Sequence, residues 1–168
     1  PPSREALLVK RMTEAAAAGG FAVSFVEGDA RKWKVANGDR LEKFTLDSSG
    51  PVFARLTSSA ALDKASIQWP SLGLSVGLPL EFTKLSNGRK IEIGFVARSA
   101  ATNGSPAVSV VYATQQAGNS GWKSISLQPQ FEVYKFEYAV PAVPEGYANP
   151  PIIVFHSDPT GSGRAVEL

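Results

Sequence analysis

The spacing of apolar residues changes once along this chain, near residue 20. Over residues 3–18, SREALLVKRMTEAAAA, Leu8, Met12 and Ala15 recur on one helical face, Ser3 stands where an N-cap belongs, and Gly19 and Gly20 supply a stop. The spacing predicts a helix too short to hold its shape alone in water. Beyond it the apolar runs become short and β-like, divided by Gly, Pro, Asn and Ser. They fall at 21–26, 40–46, 52–56, 66–69, 80–84, 90–99, 107–114, 122–127, 132–140 and 152–156, with four last β-like residues, Ala-Val-Glu-Leu, at 165–168. Such spacing, with no helical pattern between runs, predicts an antiparallel β-sandwich; a parallel sheet would need crossover helices.

Alternation inside the runs assigns faces. In 90–99, Ile91, Ile93 and Phe95 fall on one side and Glu92, Val96 and Arg98 on the other, so one face is expected on the core and the other toward water or a ligand. In 132–140, Tyr134, Phe136 and Tyr138 alternate with Lys135 and Glu137. Phe131 and Val133 have the opposite parity, which predicts a bulge or a two-sided central strand near Val133.

Length and composition narrow the class. A chain of 168 residues with 43% hydrophobic and 19% charged residues has room for one well-formed core and is folded rather than disordered. Residues 1–20 are expected to be a helix or linker from a larger protein and 21–168 the sandwich; the helix also invites a reading as a docking or oligomerising element. The net charge of +2 is spread out. The densest basic run, Arg31 to Lys34, reads as a solvated turn around Trp33, with no motif that reads nucleic acid beside it. With no cysteine, disulfides, thiolate zinc sites and a cysteine nucleophile are excluded. No run approaches the ~20 apolar residues of a membrane span, and no secretory leader is present, so the compartment stays open. The chain begins Pro-Pro without Met and reads as a piece of something longer.

From Lys90 onward the order is Phe-Val-Ala-Arg-Ser, Val-Val-Tyr-Ala-Thr-Gln-Gln, Gly-Trp-Lys-Ser-Ile-Ser-Leu, Phe-Glu-Val-Tyr-Lys-Phe-Glu-Tyr-Ala-Val-Pro and Ile-Ile-Val-Phe-His-Ser-Asp. This order resembles the jelly-roll carbohydrate-binding modules and the wider galactose-binding-like sandwich superfamily, over residues 21–168. The resemblance implies an all-β, antiparallel jelly roll with a short N-terminal helix. It also implies a non-catalytic module, attached to other domains, that binds a polysaccharide or oligosaccharide. Many such modules hold a structural calcium ion through an early Glu and a later Asp. That segment is missing here, and Glu27, Asp29 and Glu167 are the nearest carboxylates by position.

Carbohydrate recognition sets an aromatic face against the C–H side of a sugar and uses amides, carboxylates or Arg for paired hydroxyls. Arg98, Tyr112, Gln115, Gln116, Asn119 and Trp122 supply that set around one strand–loop–strand stretch, and are the expected ligand-binding residues. Tyr112 and Trp122 could equally be core. Trp69, before Pro70, reads as a packed strand end, and Trp33 as either a stacking residue or a cover over the sandwich edge. The single histidine, His156, is followed directly by Ser157 and Asp158, a spacing that cannot form a catalytic relay, and a structural role is expected. Two alternatives stay open. One is an interaction or assembly domain that docks on its parent protein or self-associates. The other is a small glycan-cleaving enzyme using two of the strand-borne acids Glu92, Glu132 and Glu137, although Glu132 and Glu137 differ in parity.

Overall fold

The computed structural model describes residues 1–26, 33–62, 73–114, 118–147 and 149–168. In chain order these residues form α1 (Arg4–Ala17), β1 (Trp33–Val35), β2 (Arg40–Thr45), β3 (Val52–Thr57), β4 (Leu74–Gly77), α2 (Leu80–Ser86), β5 (Lys90–Ser99), β6 (Ala107–Ala113), β7 (Lys123–Ser126), β8 (Glu132–Ala139), β9 (Ile152–His156) and β10 (Ala165–Glu167). The strands make two antiparallel five-stranded sheets: sheet I in the order β1-β4-β9-β6-β7 and sheet II in the order β2-β3-β10-β5-β8. The expected antiparallel jelly-roll sandwich with an N-terminal helix is the fold found.

Alternation builds the core between the sheets. Leu74, Val108, Val110 and Phe155 of sheet I meet Ala54, Leu56, Phe95, Ala97 and Val166 of sheet II. Trp33 packs against the same core, stacked 4.5 Å from Phe25, with its indole N–H donated to the Ser24 carbonyl at 2.9 Å. Of its two readings, the cover over the sandwich edge is the one realised.

Helix α1 lies on the outer face of sheet II. Ser3 caps it, its Oγ accepting from the Ala6 N–H at 3.1 Å, and Gly20 closes it by donating to the Ala16 carbonyl at 2.6 Å. Leu8, Val9 and Met12 rest on a cluster of Phe53, Val96 and Phe131, flanked by Phe44 and Val133. This packing explains the parity of Phe131 and Val133. The β5/β8 register runs unbroken from Lys90 opposite Ala139 to Ala97 opposite Glu132, so there is no bulge, and β8 is an edge strand, not a central one. Val133 is apolar outward because α1 covers it, whereas Lys135 and Glu137 further along are exposed.

Other expectations are corrected. Residues 80–84 form helix α2, because Pro79 holds φ at −62° at the N-cap, with Glu81 in the first turn and Lys84 in the last. Residues 21–26 contain no strand, whereas β1 and β4 arise where none was expected. The run at 66–69, with Trp69, lies outside the described residues. The short last strand takes an interior place in sheet II, between β3 and β5. Among the described residues no helix is long and apolar enough to cross a membrane.

Candidate ligand-binding face

The two outer faces of the sandwich differ in what they leave accessible. In the three central strands of sheet I, the residues that alternate with the core positions are themselves buried: Ser75, Ser109, Val111, Val154 and His156 are all at most 4% exposed. On sheet II, register lines up side chains of alternating charge. Glu42 of β2 stands opposite Arg55 of β3, Arg55 opposite Glu167 of β10, and Glu167 opposite Arg98 of β5. At ~4.8 Å per strand this row spans about 14 Å across the sheet.

The row is held at both ends. The Arg98 Nε–H donates to Glu167 at 3.1 Å, and its guanidinium lies 4.4 Å from the centroid of the Phe131 ring just ahead of β8. Arg55 donates to the Thr102 carbonyl at 2.8 Å, and Arg40 pairs with Glu42 at 2.8 Å. Exposure is highest at the Glu42 end, 58% for its side chain, lowest at Glu167, 9%, and 22% at Arg98. Planar guanidinium forks and carboxylates at strand spacing offer paired donors and paired acceptors, the groups that engage neighbouring hydroxyls.

Of the residues expected to bind ligand, Arg98 belongs to this row. Glu167, expected among carboxylates for calcium, is instead the partner of Arg98. Glu27 and Asp29 lie outside the described residues, and among the described ones no group of three His, Cys, Asp or Glu side chains is assembled to hold a metal. Asn119 and Trp122 are half-buried ahead of β7, where the Asn119 Oδ1 accepts from the Gly121 N–H at 2.7 Å. Gln115 and Gln116 lie outside the described residues.

Tyr112 is fully buried in a core cluster with Ile93 and Val140, its ring 5.6 Å from that of Tyr138. Burial pushes its hydroxyl up to about 12. This corrects the ligand-facing reading: on β6 the phenol side points into the sandwich. Nor does the chain bring Arg98 to the loop. Tyr138, beside Tyr112, is opposite Ile91, and Arg98 lies seven residues further along β5, some 23 Å away in the sheet opposite β6 and β7.

His156 and Asp158 serve the fold. The His156 Nε2 is 2.9 Å from the Ala60 carbonyl, its Nδ1 accepts from the Asp158 N–H at 3.2 Å, and burial lowers its pKa, so the ring is held neutral. Burial alone would raise the Asp158 carboxyl. Hydrogen bonds from the Arg164 and Thr160 side chains and backbone outweigh it and hold the group well below the usual carboxylate range. The acids weighed for catalysis sit on open surface with cations: Glu92 with Lys135, Glu132 with Arg4 and Glu137 with Lys90.

Glu42 and Arg55 were not singled out by the sequence, and Phe131 was marked there only for its parity, not as part of a ligand face. Only the sheet order makes them neighbours of Arg98.

No protein-family model matches the sequence, and no curated protein matches it. Solved structures do. The CBM22-1 xylan-binding domain of Paenibacillus barcinonensis Xyn10C is similar at a TM-score of 0.55 and 12% identity, over 86% of this chain and 85% of that one. The CBM22-2 xylan-binding domain of the same protein is similar at a TM-score of 0.57 and 12% identity, over 88% and 93%. An arabinose-bound α-L-arabinofuranosidase, MgGH51, is similar at 0.52 and 11% identity, over 88% of this chain and 23% of its own. At these identities the likeness is one of fold, and the fold is the jelly-roll sandwich of carbohydrate-binding modules.

Proposed function

We propose that this domain is a non-catalytic glycan-binding module that takes a saccharide chain across the charged row of sheet II. The observation that carries the reading is the alignment of Glu42, Arg55, Glu167 and Arg98 across four strands of sheet II, open at the Glu42 and Arg55 end and closing at buried Glu167 and half-buried Arg98 beside the covered Phe131 ring. Arg55 and Arg98 donate to ring hydroxyls and Glu42 accepts from them, while buried Glu167 orients the Arg98 guanidinium. The acids of sheet II sit paired with Lys or Arg on an open surface rather than facing each other across a cleft, which favours binding over bond cleavage.

Affinity is expected to be modest, since an open face buries little of its ligand. Xylan is the first probe, because two similar solved domains are xylan-binding domains. Calorimetric titration with soluble xylan and a panel of other β-glycans tests the proposal. Arg98→Ala should weaken association about tenfold, as loss of a charge-assisted hydrogen bond does. Trp122→Ala, at the far end of the sandwich, serves as the comparison: if it abolishes binding while Arg98→Ala does not, the site is the loop before β7. Flat titrations across the panel would sink the reading.

A further inference from the structure

Beside the charged row lies an apolar one. Phe44 is opposite Phe53, and Val96 is opposite Val133. The Phe53 and Phe131 rings stack with centroids 4.2 Å apart, and Phe44 lies 6.0 Å from Phe53. The Phe131 ring is stacked on Phe53 and also carries the Arg98 guanidinium 4.4 Å from its centroid, so the cluster adjoins the charged row; Phe53 is 2% exposed and Phe131 fully buried. Helix α1 is what covers them.

The cover is light. No residue of α1 is itself buried, and its apolar hold consists of Leu8, Val9 and Met12. Among the described contacts, the polar attachment is Arg4, whose guanidinium donates to the Phe131 carbonyl and pairs with Glu132 at 2.6 Å, with side chains 45% and 34% exposed. An exposed pair of this kind holds weakly. Gly94 leaves a shallow recess beneath the helix that would take a Cβ in ordinary contact, 3.8 Å from the Met12 sulfur, so that only a larger side chain presses on α1. At its other end α1 runs into Gly19, at φ +141°, and Gly20, which can turn the chain without a side-chain penalty.

We propose that α1 is a strap that lifts as a unit from the intact sandwich. Resting on the glycan-binding reading above, we further infer that its lifting extends the charged row into an aromatic one, so that helix and saccharide compete for the same face. A helix of 14 residues with so small a buried stripe opens at a lower free energy than the strands beneath it.

Native-state hydrogen exchange on the whole chain tests the strap. The α1 amides should exchange together, with protection ~100-fold or more below that of β5 and β6. Equal protection in α1 and β5 would overturn the proposal. Gly94→Val, which fills the recess from the sheet side, and Met12→Asp, which weakens the stripe from the helix side, should each lower α1 protection at least tenfold further while leaving β6 unchanged. Loss of protection throughout would show that α1 is a fixed part of the core and would also overturn it.

Xylan titration of the same proteins reads the competition separately. Met12→Asp binding about tenfold tighter, with α1 exchange accelerated in the parent chain by ligand, supports it. Tighter protection of α1 on binding, together with weaker binding by Met12→Asp, makes the helix a wall of the site and refutes it. If no form binds any glycan while α1 still opens first, the strap stands and the glycan reading falls.

Discussion

The outer faces of sheets I and II are made by the same alternation of side chains but are finished in opposite ways. On sheet I the outward positions Ser109, Val111, Val154 and His156 are sealed, and the chain leaving β9 is tied down by Asp158. On sheet II part of the outward face is roofed by one short helix, and beside it runs a row of charged side chains open to solvent at Glu42 and closing inward to Arg98 and buried Glu167. The difference separates where this domain keeps its stability from where it can meet a partner. Substitutions outward on sheet I should cost folding, and substitutions in the sheet II row should cost binding.

The largest effect is expected at Asp158. It is fully buried and accepts from the N–H groups of Thr160, Ser162 and Arg164, from the Thr160 hydroxyl, and from the Arg164 guanidinium at 3.0 and 3.1 Å. Asp158→Ala leaves three backbone donors and a cation without their acceptor, and should cost about 3–5 kcal/mol in urea denaturation. A paired measurement then sharpens the contrast between the faces. Val111 on sheet I is fully buried, whereas Val133 on sheet II lies half-buried under α1. Val111→Ala should cost about 2 kcal/mol and Val133→Ala about 1 kcal/mol, by lost methyl burial and residual cavity. Equal costs would mean that α1 seals its face as firmly as the other face is sealed.

Acid should act on the sheet I side first. The His156 pKa is lowered in the folded state from 6.5, so the unfolded chain takes up that proton more readily. The associated stability is complete above pH 6.5 and drains away as pH falls below it toward the folded value. Asp158 is also lowered, from 3.8, so its contribution is complete above that pH and is lost only as pH falls further. Urea midpoints at pH 7.5, 6 and 5 check the first step. His156→Gln should be less stable at pH 7.5 yet show a flatter decline to pH 5; an unchanged slope would remove His156 as the group responsible.

Much of this architecture was legible before any coordinates. The strands at 90–99 and 152–156 have the bounds their alternation predicts, and α1 runs between the cap at Ser3 and the stop at Gly19. The failures are local and physical. Leu80 and Phe82 alternate over too few residues to distinguish a strand from a short amphipathic helix, and Pro79 decided it. β4, Leu74–Gly77, carries a Ser and a Gly in four residues and offers little strand signal. The candidate face was harder to read. Arg98 was visible as an outward residue, but Glu167 pairs with it from 69 residues away, and Arg55 and Glu42 join them only through the strand order of sheet II. Alternation says which side of a strand a residue is on. It does not say which strand lies beside it.

The smallest effect on folding should come from the row itself. Arg55 is half-exposed, gives one hydrogen bond to the Thr102 carbonyl, and faces Glu42 and Glu167 across neighbouring strands. Cross-strand opposite charges contribute roughly 0.2–1 kcal/mol each, and an exposed pair sits at the lower end of that range. Arg55→Ala should therefore cost no more than about 1 kcal/mol in urea denaturation, well under Val111→Ala. Its effect on xylan association should be proportionally larger, several-fold to about tenfold, because a bound hydroxyl loses a charged donor that water replaces poorly. If Arg55→Ala instead destabilises the fold as much as Val111→Ala and leaves titrations untouched, the row is a structural ladder, and the contrast between a sealed face and a binding face fails at its central member.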